Sequence, residues 1–162
     1  PGIGKTSAAR ILCKSADVYE LNGSFNNGDK TMTKDITDFA TTISFTGNKK
    51  IVFIDEADFM PKPVQESLRY IIEMVSNNTR FILTANNIAG ITPAIKSRCV
   101  AIPFDIGSKD RSQVVDAMIK RYAERLDSIE VNYDQQRLKE LIGIYFPDLR
   151  EIANRIQLEF GL

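Results

Sequence analysis

The sequence predicts an α/β protein, a parallel sheet flanked by helices, followed by a small all-helical region. Three observations carry that prediction. Strand-like runs alternate with helical patterns up to about residue 106. The runs IVFI (51–54) and FIL (81–83) are apolar without alternation, as strands covered on both faces must be. Beyond Gly107 only helical spacing recurs. With 162 residues, 43% of them hydrophobic, the chain can bury a core for one domain and a small second one. The expected division is 1–106 and 107–162.

The elements follow in order. PGIGKT (1–6) reads as a loop that opens a helix, SAARILCK, with Ala8, Ile11 and Leu12 as its apolar residues. VYEL (18–21) reads as a strand and NGSFNNGDK (22–30) as a loop. Ile36, Phe39, Ala40 and Ile43 recur at helical spacing, with Thr33 or Asp35 expected as the cap. Gly47 and Asn48 end that helix, and KKIVFIDEAD (49–58) supplies a buried strand ending in acids. After Pro61 and Pro63 an amphipathic helix carries Val64, Leu68, Ile71, Ile72 and Val75 on one face, closed by Asn77 and Asn78. RFILTANN (80–87) is a second buried strand. A short helix is expected at 93–97, then a further strand, CVAIPF (99–104), at an edge or inside the sheet. Three helices complete the chain. Their apolar faces are Val114, Val115, Met118, Tyr122 and Leu126; Leu138, Leu141, Ile142 and Tyr145; Leu149, Ile152, Ala153 and Ile156.

Composition narrows the chemistry. The 21 basic and 21 acidic residues cancel, and the signs are interleaved in both regions, so charge does not name a partner. The sequence has no histidine. Cys13 and Cys99 fit no metal spacing, so zinc chemistry is not expected and a reduced compartment is. No apolar run approaches 18 residues, so no membrane span is predicted.

The chemistry-bearing motifs are a phosphate loop and an acidic pair. Gly4-Lys5-Thr6 closes the pattern G-x-x-x-x-G-K-[ST], whose first glycine would precede the first residue; the chain is therefore expected to be a piece of something longer. Glycines at 2 and 4 let backbone N–H groups converge on phosphate oxygens, and the helix N-terminus adds its own. The set Pro1, Gly2, Ile3, Gly4, Lys5, Thr6 and Ser7 would hold the nucleotide, with Lys5 on the β- and γ-phosphates and the Thr6 hydroxyl on Mg²⁺. Asp55 ends a buried strand at the edge where open α/β sheets bind ligands and is the second candidate metal ligand. Glu56, one residue on, is suited to polarise a water. Asp58 is more simply a turn cap. The tetrad DEAD (55–58) suggests an RNA helicase, a reading rejected because no histidine is present and LTANN is not that family's serine-alanine-threonine element.

Asn86 is the first candidate to orient the water against the γ-phosphate, with Thr84 and Asn87 behind it. Arg98 sits in a loop able to face a neighbour, and such enzymes often borrow an arginine for the transferred phosphoryl group. Arg150, at a helix start, opposes the helix dipole, a small cost that points to a use elsewhere.

In this order the pieces resemble the AAA+ ATPases, and within them the sliding-clamp loader subunits of replication factor C small-subunit and T4-type phage kind. The residues carrying the resemblance are PGIGKT (1–6), ELNGS (20–24), IVFIDEAD (51–58), SLRYIIEMVSNNTRFILTANN (67–87), IKSRC (95–99) and FPDLREIANRI (146–156). The likeness implies a P-loop fold with a helical lid, lacking here an N-terminal strand and a C-terminal collar. It implies ATP and Mg²⁺ as ligands, with Asp55 and Glu56 as the Walker B pair and Asn86 as first sensor. Arg98 would be a finger acting on a neighbour's ATP, and Arg150 a second sensor binding phosphate in cis. It implies a pentamer of loader subunits that opens a sliding clamp and sets it on primer-template DNA, in cytoplasm or nucleus. Lys30, Thr33, Lys34 and Lys62, near loops preceding two helices, would touch the DNA backbone, and Arg69 would couple DNA to the nucleotide site. Other AAA+ motors, or a loader subunit that binds ATP without hydrolysis, are the alternatives. Alone, the chain is expected to be weakly active and prone to self-association through exposed sheet.

Overall fold

The computed structural model of the protein describes residues 2–25, 29–44, 47, 49–107 and 110–161. The chain divides into two units, Lys5–Ile102 and, separately, Pro103–Leu162 together with Pro1–Gly4.

Lys5–Ile102 contains α1 (Lys5–Cys13), β1 (Asp17–Asn22), α2 (Asp29–Thr41), β2 (Lys50–Asp55), α3 (Lys62–Met74), β3 (Thr79–Leu83) and the single turn α4 (Pro93–Lys96). The three strands pair in the order β1-β2-β3, all parallel. Parallel neighbours need crossovers, which α2 and α3 provide. Register aligns the carboxyl ends, with Asn22 opposite Asp55 and Ile54 opposite Leu83.

β2 lies in the middle, which is why it reads as an unbroken apolar run: Val52, Phe53 and Ile54 have no exposed surface. The twofold period splits them between layers. Val52 and Ile54 pack with Ile36 and Ala40 of α2 and with Leu68 and Ile71 of α3. Phe53 meets Ala9 and Cys13 of α1 on the other face. Each such side chain contributes roughly 1.5–3 kcal/mol on burial.

Four details depart from the sequence reading. The buried face of α1 is Ala9 and Cys13, while Ile11 and Leu12 are 63% and 68% exposed. Small side chains one turn apart let the helix approach Phe53. Secondly, α2 already begins at Asp29, so Thr33 and Asp35 lie inside it rather than at its start; the Thr33 carbonyl accepts the Thr37 hydroxyl at 2.8 Å. Ile43 falls beyond its end and is exposed. Finally, CVAIPF forms no strand, and Val100 and Ile102 are largely exposed. A strand is defined by its ladder, and this segment has no ladder partner among the described residues.

The start of β2 carries a buried cation. Lys50 lies beneath the C-terminus of α2, where its Nζ donates to the Phe39 carbonyl and, at 2.7 Å each, to the Thr42 carbonyl and hydroxyl. It also sits 4.2 Å from the Phe39 ring centroid. These carbonyls are the orphan acceptors of a helix end.

The second unit holds α5 (Arg111–Ser128), α6 (Gln135–Tyr145) and α7 (Leu149–Phe160) around Leu126, Leu138, Leu141, Ile142, Phe146, Ile152 and Ile156. Asp134 caps α6 through the N–H groups of Gln136 and Arg137, and Asp148 caps α7 through those of Arg150 and Glu151. Gly161, at φ 72°, ends α7. No helix among the described residues is long and apolar enough to cross a membrane.

Candidate nucleoside triphosphate site

A parallel sheet delivers the ends of all its strands to one edge, and here that edge meets the start of α1. The Thr6 hydroxyl donates to the Asp55 carboxylate, 2.9 Å from Oδ1 and 3.1 Å from Oδ2. Lys5 Nζ donates to Asn86 Oδ1 at 2.9 Å. The Thr84 hydroxyl donates to Asp55 Oδ1 and accepts the Glu56 N–H at 3.1 Å. Lys5, Thr6, Asp55, Glu56, Thr84 and Asn86 are thus gathered within one unit by bonds spanning 28 to 81 residues.

The donor set is hard oxygen, a hydroxyl beside a carboxylate. Among the described residues no three histidine, cysteine or acidic side chains form a cluster that could cage a metal. That fits Mg²⁺, which binds through one or two protein oxygens and takes the rest from water and substrate phosphates.

Glu56 adopts the left-handed conformation, φ 54° and ψ 43°. For a residue with a long side chain this costs on the order of 1–3 kcal/mol, held by its surroundings. Its N–H is tied to Thr84, its carbonyl accepts Phe59 N–H at 3.0 Å, and Gly23 packs so close that a Cβ there would lie 2.6 Å from that carbonyl. Asp58, read from sequence as a turn cap, reaches across to β3's exit: its carboxylate accepts the N–H groups of Asn86 at 3.3 Å and Asn87 at 3.0 Å.

The structure adds residues that the sequence reading passed over. Gln65 is buried on the apolar face of α3, donating to the Met60 and Gly90 carbonyls at 3.0 Å and accepting the Thr92 N–H at 2.8 Å. Its signal was a polar residue beside Val64 and Leu68 on an otherwise apolar face. Glu73, at the end of α3, takes both Nε and Nη2 of Arg98, with Nε at 2.7 Å. Arg98 Nη1 donates to the Ala94 carbonyl and Ser97 Oγ, each at 2.9 Å, so the guanidinium is largely engaged within its own chain.

Of the phosphate-loop residues, Pro1 lies outside the described residues, Ile3 is half-buried and Ser7 is exposed in the first turn of α1. Gly2 and Gly4 hold φ of 74° and 87°. At Gly2 the absence of a side chain has a second cause: a Cβ would lie 2.0 Å from Asp148 Oδ1. The Gly2 carbonyl accepts the Leu149 N–H at 2.9 Å, which sets Arg150, itself exposed, one residue from that contact.

Lys30, Thr33 and Lys34 lie in the first half of α2, and the Lys30 side chain is outside the described set. Thr33 and Lys34 line a groove of about 540 Å³ with Thr37, Ser67 and Tyr70. Lys62 and Arg69 are exposed on α3 and do not line it.

Burial pushes both thiols up: desolvation acts on Cys99, and desolvation followed by the Glu20 charge on Cys13. Desolvation pulls the Lys50 ammonium down against a smaller opposing effect of Asp17.

A parallel sheet whose carboxyl edge meets a glycine-lysine-threonine helix start is the fold of the P-loop nucleoside triphosphatases. Residues 1–105 match the ATPase family associated with various cellular activities (AAA), and the chain belongs to that family. It is 36% identical to the sliding-clamp-loader large subunit of Enterobacteria phage T4, over 96% of this chain and 50% of that protein. It is 32% identical to replication factor C subunit 5 of Homo sapiens, over 97% and 47%, and 33% identical to the replication factor C small subunit of Archaeoglobus fulgidus, over 97% and 50%. The chain spans about half the length of these relatives. In fold it is similar to the RuvB Holliday junction branch migration motor of Thermotoga maritima, with a TM-score of 0.58 at 17% identity over 98% of this chain and 59% of that one.

Proposed function

We propose that this chain is the ATP-hydrolysing part of a sliding-clamp loader subunit. The observation that carries the reading is the pairing of Thr6 with Asp55 beside the Lys5–Asn86 contact at one sheet edge. The likeness to loader subunits along nearly the whole chain supports the choice among AAA machines.

In this reading Lys5 leaves the Asn86 amide for the β- and γ-phosphates, and the loop's N–H groups hold the remaining oxygens. Thr6 and Asp55 would hold Mg²⁺, which would supply positive charge to the phosphate oxygens when bound. Asn86 orients a water whose oxygen adds to the γ-phosphorus while its proton passes to Glu56. The bond to the bridging oxygen breaks, and its electron pair leaves on ADP. Arg98 supplies positive charge to a neighbouring subunit's γ-phosphate, and Arg150 to the nucleotide of its own chain. Thr33, Lys34, Lys30, Lys62 and Arg69 contact the DNA backbone. Partners are the other subunits of a pentamer, the clamp and primer-template DNA, in the cytoplasm or the nucleus.

The test uses the full-length protein with its clamp and primer-template DNA. Both should stimulate ATPase activity, and Glu56→Gln should keep ATP binding while abolishing turnover. Turnover unaffected by that substitution removes Glu56 from the reaction. An ATPase indifferent to clamp and DNA removes the loader assignment.

A further inference from the structure

We propose that Thr84 is the positioning residue for both acids of the site, one hydroxyl setting the carboxylate of Asp55 and the backbone of Glu56 together. The inference rests on the proposed function and deepens it.

A threonine hydroxyl has one proton and two lone pairs. In Thr84 the proton goes to Asp55 Oδ1 and a lone pair receives the Glu56 N–H at 3.1 Å. The residue is 8% exposed, so water does not readily replace either partner. Its backbone is fixed independently: Thr84 N–H donates to the Ile54 carbonyl at 3.0 Å, and its carbonyl accepts the Ala57 N–H at 2.8 Å. The hydroxyl therefore projects from a rigid point that brackets the strand's exit on both sides.

The two partners need that rigidity for different reasons. Asp55 is also held by Thr6, but the Thr6 hydroxyl is the group that turns toward the ion and phosphate when nucleotide enters. Thr84 then remains to keep the carboxylate in its rotamer. Glu56 sits in a left-handed conformation that its side chain disfavours. The bond to its N–H holds that turn, and the turn aims the Glu56 carboxylate. The hydroxyl is directed at the acids and not at the open edge, which separates this role from that of a residue orienting water.

The test compares Thr84→Val, which removes the hydroxyl and keeps the shape, with Thr84→Ser, which restores it, in the full-length protein. Expected for Val is a fall in kcat of at least about tenfold, the value of one charge-assisted hydrogen bond. KM for ATP and the affinity for a fluorescent ATP analogue should stay within about twofold. Hydrogen exchange at the Glu56 amide should speed up in Val and return to the wild-type rate in Ser, together with kcat. If Val does not fold, Thr84→Ala is measured in its place, by the same criteria. Wild-type kcat without the hydroxyl, an unchanged Glu56 amide, or a Ser variant as impaired as Val each overturns the proposal. Glu56→Gln measured alongside keeps the two readings apart: if it is inactive while the Thr84 variants are normal, only the Thr84 inference fails.

Discussion

Glu73 accepts two guanidinium hydrogens from Arg98, 25 residues further along, and joins the end of α3 to the loop after α4. In the proposed role of a finger for another subunit, Arg98 would first have to leave this resting partner. The Arg98 side chain is 24% exposed and that of Glu73 is 53%, so the pair itself adds at most about 1 kcal/mol to stability.

Arg98→Ala should therefore leave folding nearly unchanged, and under the proposed function it should lower the ATPase of the assembled loader by about 10³-fold. Assemblies mixed from Arg98→Ala and Glu56→Gln subunits discriminate between roles. A finger acting on the neighbour makes some sites whole again and restores part of the turnover; a finger acting within its own subunit restores none. ATPase assays across mixing ratios read this directly.

Gly2→Ala should destabilise the helical unit in which Gly2 meets Asp148. The added methyl meets Asp148 Oδ1 at 2.0 Å, and φ of 74° disfavours any side chain. Asp148→Ala alone should cost about 1 kcal/mol by uncapping α7. In the double variant the clash is absent, so its loss of stability should fall short of the sum of the singles. Additive losses in thermal denaturation would show that the two residues do not meet.

Lys50→Met should destabilise the fold by about 1–3 kcal/mol, because the carbonyls of Phe39 and Thr42 lose their donor. The pH dependence has a definite sign. Desolvation puts the folded-state pKa below the unfolded value, so the unfolded chain holds more protons between the two. The penalty for burying the charge is full below the folded pKa and fades as pH rises through the unfolded one. Denaturant titrations from pH 8 to 10.5 should show wild type gaining on Lys50→Met; a shrinking gap contradicts the buried placement.

Cys13 and Cys99 should react with a disulfide reagent at pH 8 more slowly than free cysteine, since burial raises both thiols. Cys13, only 7% exposed, should be the slower. An immediate release of two equivalents from the native protein would refute both placements.

Legibility followed the range of the interactions. The central strand was readable because burial on both faces writes itself into adjacent residues, Val52 to Ile54. The family was readable at Gly4-Lys5-Thr6 because a motif of adjacent residues needs no distant partner to be seen. CVAIPF misled for the opposite reason: its composition suits a strand, but pairing depends on a neighbour that local pattern cannot report. Listing Ile11 and Leu12 as apolar residues of the first helix did not tell which face it buries, because the close contact with Phe53 selects the smaller Ala9 and Cys13. The partners of Gln65, Asp58 and Thr84 lie 25 or more residues away, apart from Gln65's bond to Met60. Such polar contacts leave no periodic trace.

The flush register of the three strands limits where this protein can gain or lose residues. One residue inserted between Lys50 and Asp55 would turn the acid to the opposite face and exchange Phe53's layer for that of its neighbours. Length change is tolerable only in the connections, such as the stretch between the helix that ends at Thr41 and the strand that begins at Lys50. An added residue is therefore better absorbed in that connection than in the six-residue strand beside it.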